Sequence, residues 1–157
     1  MQQAVAGIVG GASRVTDLFA GCGTLGLPLL KGLSKLTAAE SDTAALAAMK
    51  AAVNAAGLGA RLDCIEADLM RAPLTADLFG DVEAVIIDPP RAGASAQCKI
   101  LATTAVPAIA MVSCNPASFA RDAAILGAGG YRLTSLQIID QFRFSSHVEI
   151  VAGLERG

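Results

Sequence analysis

Asp17-Leu18-Phe19-Ala20-Gly21-Cys22-Gly23-Thr24-Leu25-Gly26 is the stretch on which the reading of this chain turns. Arg14-Val15-Thr16 leads into it as a short run with the composition of a strand. Leu25 to Leu30 follows as the start of a helix, so the glycines occupy a strand-to-helix turn. Gly21 and Gly23 lack a Cβ, which lets the backbone turn sharply and a ligand approach it closely. Free amides at a helix start favour the electron-rich edge of that ligand. The spacing Gly21-x-Gly23-x-x-Gly26 matches a dinucleotide fingerprint by letter count. Asp17 changes the chemistry, because a carboxylate at the strand end repels a diphosphate and accepts from an ammonium. The expected ligand is a nucleoside bearing an amino-acid tail.

Working outward, the apolar and turn-forming segments alternate as β-α units. Residues 2–12 read as a short helix ending at Gly10-Gly11, and residues 24–32 as the first helix after the turn. Leu36 to Glu40 is a second strand; Asp42 or Ser41 then caps an Ala-rich helix reaching about Ala56. Arg61 to Glu66 alternates as a third strand. Ala84 to Asp88 is a fourth, apolar without interruption, as a strand covered on both faces must be. Pro89-Pro90 stops it. Ser95 to Thr104 is a helix, Ala108 to Ser113 a fifth strand, and Asn115 or Pro116 opens a helix through Leu126 to Gly127. Tyr131 to Asp140 and His147 to Leu154 complete the pattern as two strands. This order predicts an α/β fold, a mostly parallel sheet with helices on both faces.

The chain has 157 residues, 54% hydrophobic and 17% charged, enough for one domain with a substantial core. No uninterrupted apolar run reaches the length of a membrane span, and Met1-Gln2-Gln3 lacks the basic start of a secretory signal. The four cysteines are scattered and form no CxxC, and there is one histidine. That composition argues against a zinc site and predicts free thiols in a reducing cytoplasm. A net charge of −2 gives no electrostatic footprint for nucleic acid, so any grip on RNA must come from a local patch or another domain.

In an open parallel sheet, ligands bind beyond the carboxyl ends of the strands. The chemically informative residues fall there. Glu40 lies about twenty residues past the glycine turn, the separation expected of a carboxylate on ribose hydroxyls, or else of a helix cap. Asp68 either accepts from an adenine amino group or is a solvated loop acid. Asp88, between an apolar strand and two prolines, faces the same cavity as Asp17. Arg91 beside it pairs with Asp88 or touches a phosphate. Cys114 sits between a buried strand and a helix start, where a thiolate is favoured, unless it is an inert packed thiol. Glu149 stands among Val148, Ile150 and Val151, where burial would make it a better base; the alternative is a strand glutamate facing water. The lone His147 reads as a loop-ordering residue.

Taken together, DLFAGCGTLGLPLL, AAESDTAAL, DPPRAG, VSCNPASFARD and DQFRFSSHVEIVAGLER resemble one family, the RNA uridine C5-methyltransferases acting on transfer or ribosomal RNA. The segments run in the family's order across nearly the whole chain. The resemblance implies a Rossmann-like class I methyltransferase fold with seven strands, S-adenosylmethionine as cofactor, and RNA as partner. It implies Cys114 as the nucleophile on uracil C6 and Glu149 as the acceptor of the C5 proton. Asp88 is implied close to cofactor and target base. Phe19, Thr24, Glu40 and Asp88 fall on cofactor-contacting positions, with Gly21 and Gly23 shaping the turn. The family's RNA-binding barrel is absent from this sequence, as is the iron–sulfur cysteine set of some members, so residues 1–157 read as a single catalytic domain. The Phe-x-Gln-x-Asn segment before the first motif is not intact, and neither Gln2 nor Gln3 is assigned to it. Phe142-Arg143-Phe144-Ser145 replaces the usual Phe-Pro-x-Thr, with Arg143 either on an RNA phosphate or at the surface. Two other readings compete. One is an amino-nitrogen methyltransferase, against which Arg91 stands in place of an aromatic residue. The other is a cofactor-binding module that needs a partner for activity.

Overall fold

A computed structural model describes residues 1–139 and 148–157. The chain order is α1 (Gln2–Ile8), β1 (Arg14–Leu18), a 3-10 helix (Leu27–Gly32), β2 (Lys35–Glu40), α2 (Thr43–Ala55) and β3 (Leu62–Glu66). It continues with β4 (Ala84–Ile87), α3 (Ser95–Leu101), β5 (Ala108–Ser113), α4 (Pro116–Ala128), β6 (Tyr131–Ile139) and β7 (Glu149–Arg156). The strands form one seven-stranded sheet in the order β3-β2-β1-β4-β5-β7-β6. β1 to β5 run parallel, and β7 inserts antiparallel between β5 and β6. The expected α/β architecture is present.

β4 shows how the pattern makes the sheet. All four of its residues are buried. Val85 and Ile87 pack on one face with Leu101, Ile109, Met111 and Leu126. Ala84 and Ile86 pack on the other with Val5, Val15, Leu30 and Leu36. Successive side chains of a strand point to opposite faces, so a strand with cores on both sides has no polar position. α2 closes a smaller cluster, placing Leu46 and Met49 over Ala38. Its N-cap is Asp42, whose carboxylate accepts from the amides of Ala44 (2.8 Å) and Ala45 (3.1 Å).

Several boundaries differ from the sequence-based expectation. Residues 24–32 are not an α-helix: turns run to Gly26 and a 3-10 helix spans Leu27–Gly32. Gly21 (φ +54°) and Gly23 (φ +85°) hold left-handed conformations that no α-helix accepts, and Pro28 removes an amide donor. α1 stops at Ile8, short of Gly10-Gly11. α3 ends at Leu101 rather than Thr104, because the Thr103 and Thr104 hydroxyls satisfy the carbonyls of Ile100 and Leu101 (2.7 and 2.8 Å). β4 ends at Ile87, leaving Asp88 in the loop, and β7 runs to Arg156. Asp140, Arg143 and His147 lie outside the described residues, so the expectations for them do too. No helix among the described residues is long and apolar enough to cross a membrane.

Candidate active site

The carboxyl ends of β1, β2 and β4 and the amino end of antiparallel β7 meet along one rim of the sheet. At the end of β1, Phe19 has φ +60°, the only left-handed non-glycine among the described residues. Such a conformation is strained for a bulky side chain and concentrates at ligand-binding turns. Gly21 follows, and nothing lies within 4 Å of where a Cβ would stand. The space above the turn is open. At Gly23 the same construction runs into the Leu27 side chain, so this glycine is required by packing.

Asp17 and Glu40 brace the turn from below. Asp17 is 1% exposed, and its Oδ2 accepts from the Gly26 amide at 3.1 Å. Burial pushes its carboxyl up to about 7; the Gly26 amide opposes the shift, and the charges of Asp88 and Glu40 add to it. Glu40 Oε2 accepts from the Gly21 amide (2.9 Å), and Oε1 from the amides of Ser41 (2.7 Å) and Asp42 (3.0 Å). Burial acts upward on Glu40, but these bonds outweigh it and hold the carboxylate below its ordinary range. Gly26 belongs to the same brace: a Cβ there would lie 2.6 Å from Asp17 Oδ2 and 3.2 Å from Leu36 Cδ2. Gly26→Ala is therefore expected to cost about 1–3 kcal/mol in urea unfolding, as overpacking of a tight interior does.

Thr24 is exposed on the turn, and its carbonyl receives the Gln2 side-chain amide at 2.9 Å. The structure thus brings Gln2 to the glycine turn. Asp68 is exposed and folded onto its own loop, accepting from the Met70 amide (3.1 Å) and facing Arg71 at 3.6 Å.

Asp88 begins the loop after β4, its amide donating to the Leu18 carbonyl at 3.3 Å. Burial, reinforced by the Glu149 charge, raises its carboxyl to about 6. Arg91 is exposed and makes no ion pair with Asp88 among the described residues. Cys114 is half-buried, one residue before Asn115, the N-cap of α4. The antiparallel β5–β7 register ends at Ser113 opposite Ile150, so Cys114 and Glu149 are the residues that flank that last pair at the same end of the ladder. Glu149 is itself half-buried. Asp88 and Glu149 are close enough for one charge to act on the other, and Cys114 follows β5 at the same rim of the sheet.

Asn115 does more than open a helix. Its side-chain amide donates to the Arg91 carbonyl (3.0 Å), which also receives the Ser118 hydroxyl (3.2 Å). Sequence reasoning missed Ser118, and with it Arg121 and Asp122 on the same helix. The available signal was an acid, Asp122, on the face of α4 that buries Phe119 and Leu126. Among the described residues no cluster of three His, Cys, Asp or Glu is placed to hold a metal ion.

Residues 75–156, just over half of the chain, match the tRNA (uracil-5-)-methyltransferase family. The chain belongs to that family. An uncharacterized RNA methyltransferase of Rhizobium meliloti is 46% identical over 157 residues, covering 99% of this chain and 37% of the relative. The 23S rRNA (uracil(1939)-C(5))-methyltransferase RlmD of Halomonas elongata is 38% identical over 91% of the chain and 30% of its own length. The crystal structure of Pyrococcus abyssi tRNA (uracil-54, C5)-methyltransferase in complex with S-adenosyl-L-homocysteine superimposes with a TM-score of 0.81 at 31% identity. It is covered over 36% of its length, and this chain over 97%. The chain therefore spans about a third of the length of these relatives.

Proposed function

We propose that residues 1–157 form the S-adenosylmethionine-dependent catalytic domain of an RNA methyltransferase that modifies C5 of uridine in transfer or ribosomal RNA. The observation that carries this is that the Asp88 carboxyl feels the Glu149 charge at the rim where β5 ends just before Cys114, while Asp17 beneath the open glycine turn feels Asp88. The residues present suit the cofactor. Glu40, held in its ionised form beside the turn, favours hydroxyls over a diphosphate. Glu40 Oε1 is filled by Ser41 and Asp42, but Oε2 takes one bond, from the Gly21 amide, and keeps capacity to receive a ribose hydroxyl. Phe19, Gly21, Gly23 and Thr24 would shape its seat, with Asp17 bracing the turn and Asp68 and Asp88 flanking it. When bound, S-adenosylmethionine supplies an electrophilic methyl group on a sulfonium.

The protein's residues make C5 able to take that methyl. Uracil C5 is a poor nucleophile. Cys114 Sγ adds to C6, and the electrons of the C5–C6 double bond pass into an enolate that is nucleophilic at C5. Once C5 is methylated, Glu149 removes its remaining proton. The C5–C6 double bond re-forms and the C6–Sγ bond breaks, returning Cys114 as thiolate. Asp88 stands beside Glu149, where the charge of one carboxylate tunes the other.

This sequence of steps gives Glu149→Gln a distinctive signature. Addition still proceeds, but proton removal and release do not. With the whole protein, uridine-containing RNA and S-adenosylmethionine, a covalent protein–RNA species is expected to accumulate and survive denaturing electrophoresis. A Glu149→Gln protein that turns over at the wild-type rate and forms no adduct would refute the assignment. Nucleoside mass spectrometry of the product decides the chemistry: 5-methyluridine supports the proposal, and a methyl on an exocyclic nitrogen overturns it.

A further inference from the structure

The inner face of α4 reads the loop after Asp88 residue by residue. The Arg91 carbonyl takes bonds from Asn115 and Ser118. Arg121 Nη2 donates to the Ala92 carbonyl at 2.9 Å. The Ala94 amide donates to Asp122 Oδ2 at 2.6 Å. Arg121 also holds Asp122 Oδ1 through Nε (2.8 Å) and Nη2 (2.7 Å), so the carboxylate divides its two oxygens between guanidinium and loop. Asp122 is fully buried. Gly93 has φ +79°, and a Cβ there would collide with both the Arg121 guanidinium and the Asp122 carboxylate. Positions 115, 118 and 122 recur at helical spacing, so one face of the helix carries the whole set.

Asp122 is buried but the Arg121 side chain is half exposed, so solvent screens the pair and its contribution to stability is small. Its value here is geometric. Cys114 immediately precedes the helix that bears the clamp, and Asp88 lies three residues before the loop that the clamp grips. Between them Pro89-Pro90 stiffens the chain. The clamp therefore makes the nucleophile and the Asp88 carboxylate parts of one rigid body.

We propose that Arg121 and Asp122 are positioning residues for methyl transfer, acting through the 91–94 loop to fix Asp88 relative to Cys114. This rests on the functional reading above. The experiment uses the whole protein and follows kcat, the KM for S-adenosylmethionine, and Tm. Arg121→Ala is expected to lower kcat about a hundredfold, the scale of an ångström of misplacement, with KM within about threefold. Arg121→Lys is expected to recover about tenfold of that loss, since an ammonium reaches Asp122 or Ala92 but cannot fork between them. Ser118→Ala moves kcat in the same direction by less. Leu126→Ala, in the core further along α4, serves as the control that lowers Tm without touching the loop.

A kcat within about threefold of wild type in folded Arg121→Ala, or a loss no greater than in Leu126→Ala, overturns the proposal. If Arg121→Ala does not fold, Arg121→Lys and Ser118→Ala decide, and wild-type kcat in both overturns it. A wild-type protein that methylates no uridine removes the functional reading and this one together. An active wild type with unaffected clamp variants removes this one alone.

Discussion

Cys114→Ala is expected to abolish uridine methylation, by at least about four orders of magnitude in rate, as removal of a covalent nucleophile does. Binding of S-adenosylhomocysteine measured by calorimetry should stay within about threefold of wild type. The two readouts separate because Cys114 lies at the β5–α4 junction, whereas the glycine turn is built on β1 and braced by Asp17 and Glu40. On the proposed mechanism C5 of uracil has no route to enolate character without the sulfur, and neither Cys98 nor Cys64 can replace it. Cys98 is fully buried in α3, and burial, with the nearby Asp122 charge, pushes its thiol up to about 12 despite Arg121. Cys64 sits on β3, with its thiol also raised by burial, so Cys64→Ala should methylate at the wild-type rate. The assay is methyl incorporation into uridine-containing RNA with the whole protein. Folded Cys114→Ala retaining a tenth of the wild-type rate would end the covalent mechanism.

Asp17→Asn should make the fold more stable at pH 8 by up to about 4 kcal/mol and leave it unchanged near pH 4. The folded carboxyl titrates at about 7 against an ordinary 3.8, so between those values the folded chain keeps a proton that the unfolded chain releases. The stability this group contributes is complete below the ordinary value and disappears as pH rises through 7. Asparagine can still accept from the Gly26 amide and carries no charge to bury. Asp88, raised to about 6, slopes the same way. Glu40 slopes oppositely, since its lowered carboxylate contributes above its unfolded value and loses that contribution as acid protonates it. Urea midpoints from pH 4 to 8 measure the difference. An asparagine variant less stable than wild type at pH 8 would mean that the charged form is the one the site requires.

The sequence made the sheet legible where side-chain character has one explanation. Ala84 to Ile87 could only be a strand buried on both faces, and Ala108 to Ser113 matches β5 residue for residue. The rim residues were legible because strand ends carry the few polar groups in an apolar chain. The stretch after Gly23 was misjudged because Leu25 to Leu30 has helical composition, while the conformations of Gly21 and Gly23 and the missing Pro28 donor decide otherwise. Glu40 was expected to face ligand; that it also holds the Gly21 amide depends on a contact nineteen residues back in the chain. Arg121 and Asp122 lie in the VSCNPASFARD segment, where the sequence assigns them no role of their own. Their partners are 28 and 29 residues away, and no local period encodes such bonds.

The antiparallel placement of β7 has an evolutionary consequence. The proposed function needs Glu149 at the Cys114 end of the sheet, and a ladder of backbone bonds from Ser113–Ile150 through Ala108–Glu155 sets where that strand begins. Removing one residue from the middle of that ladder would slide its start by about 3.4 Å and turn every side chain to the opposite side of the sheet. Glu149 would then point into the other half of the molecule, although the chemistry of each amino acid was unchanged. Indels should accordingly be purged from residues 149–156 and tolerated at the surface turn near Gly57, making the length of this strand as heritable a trait as the identity of its first residue.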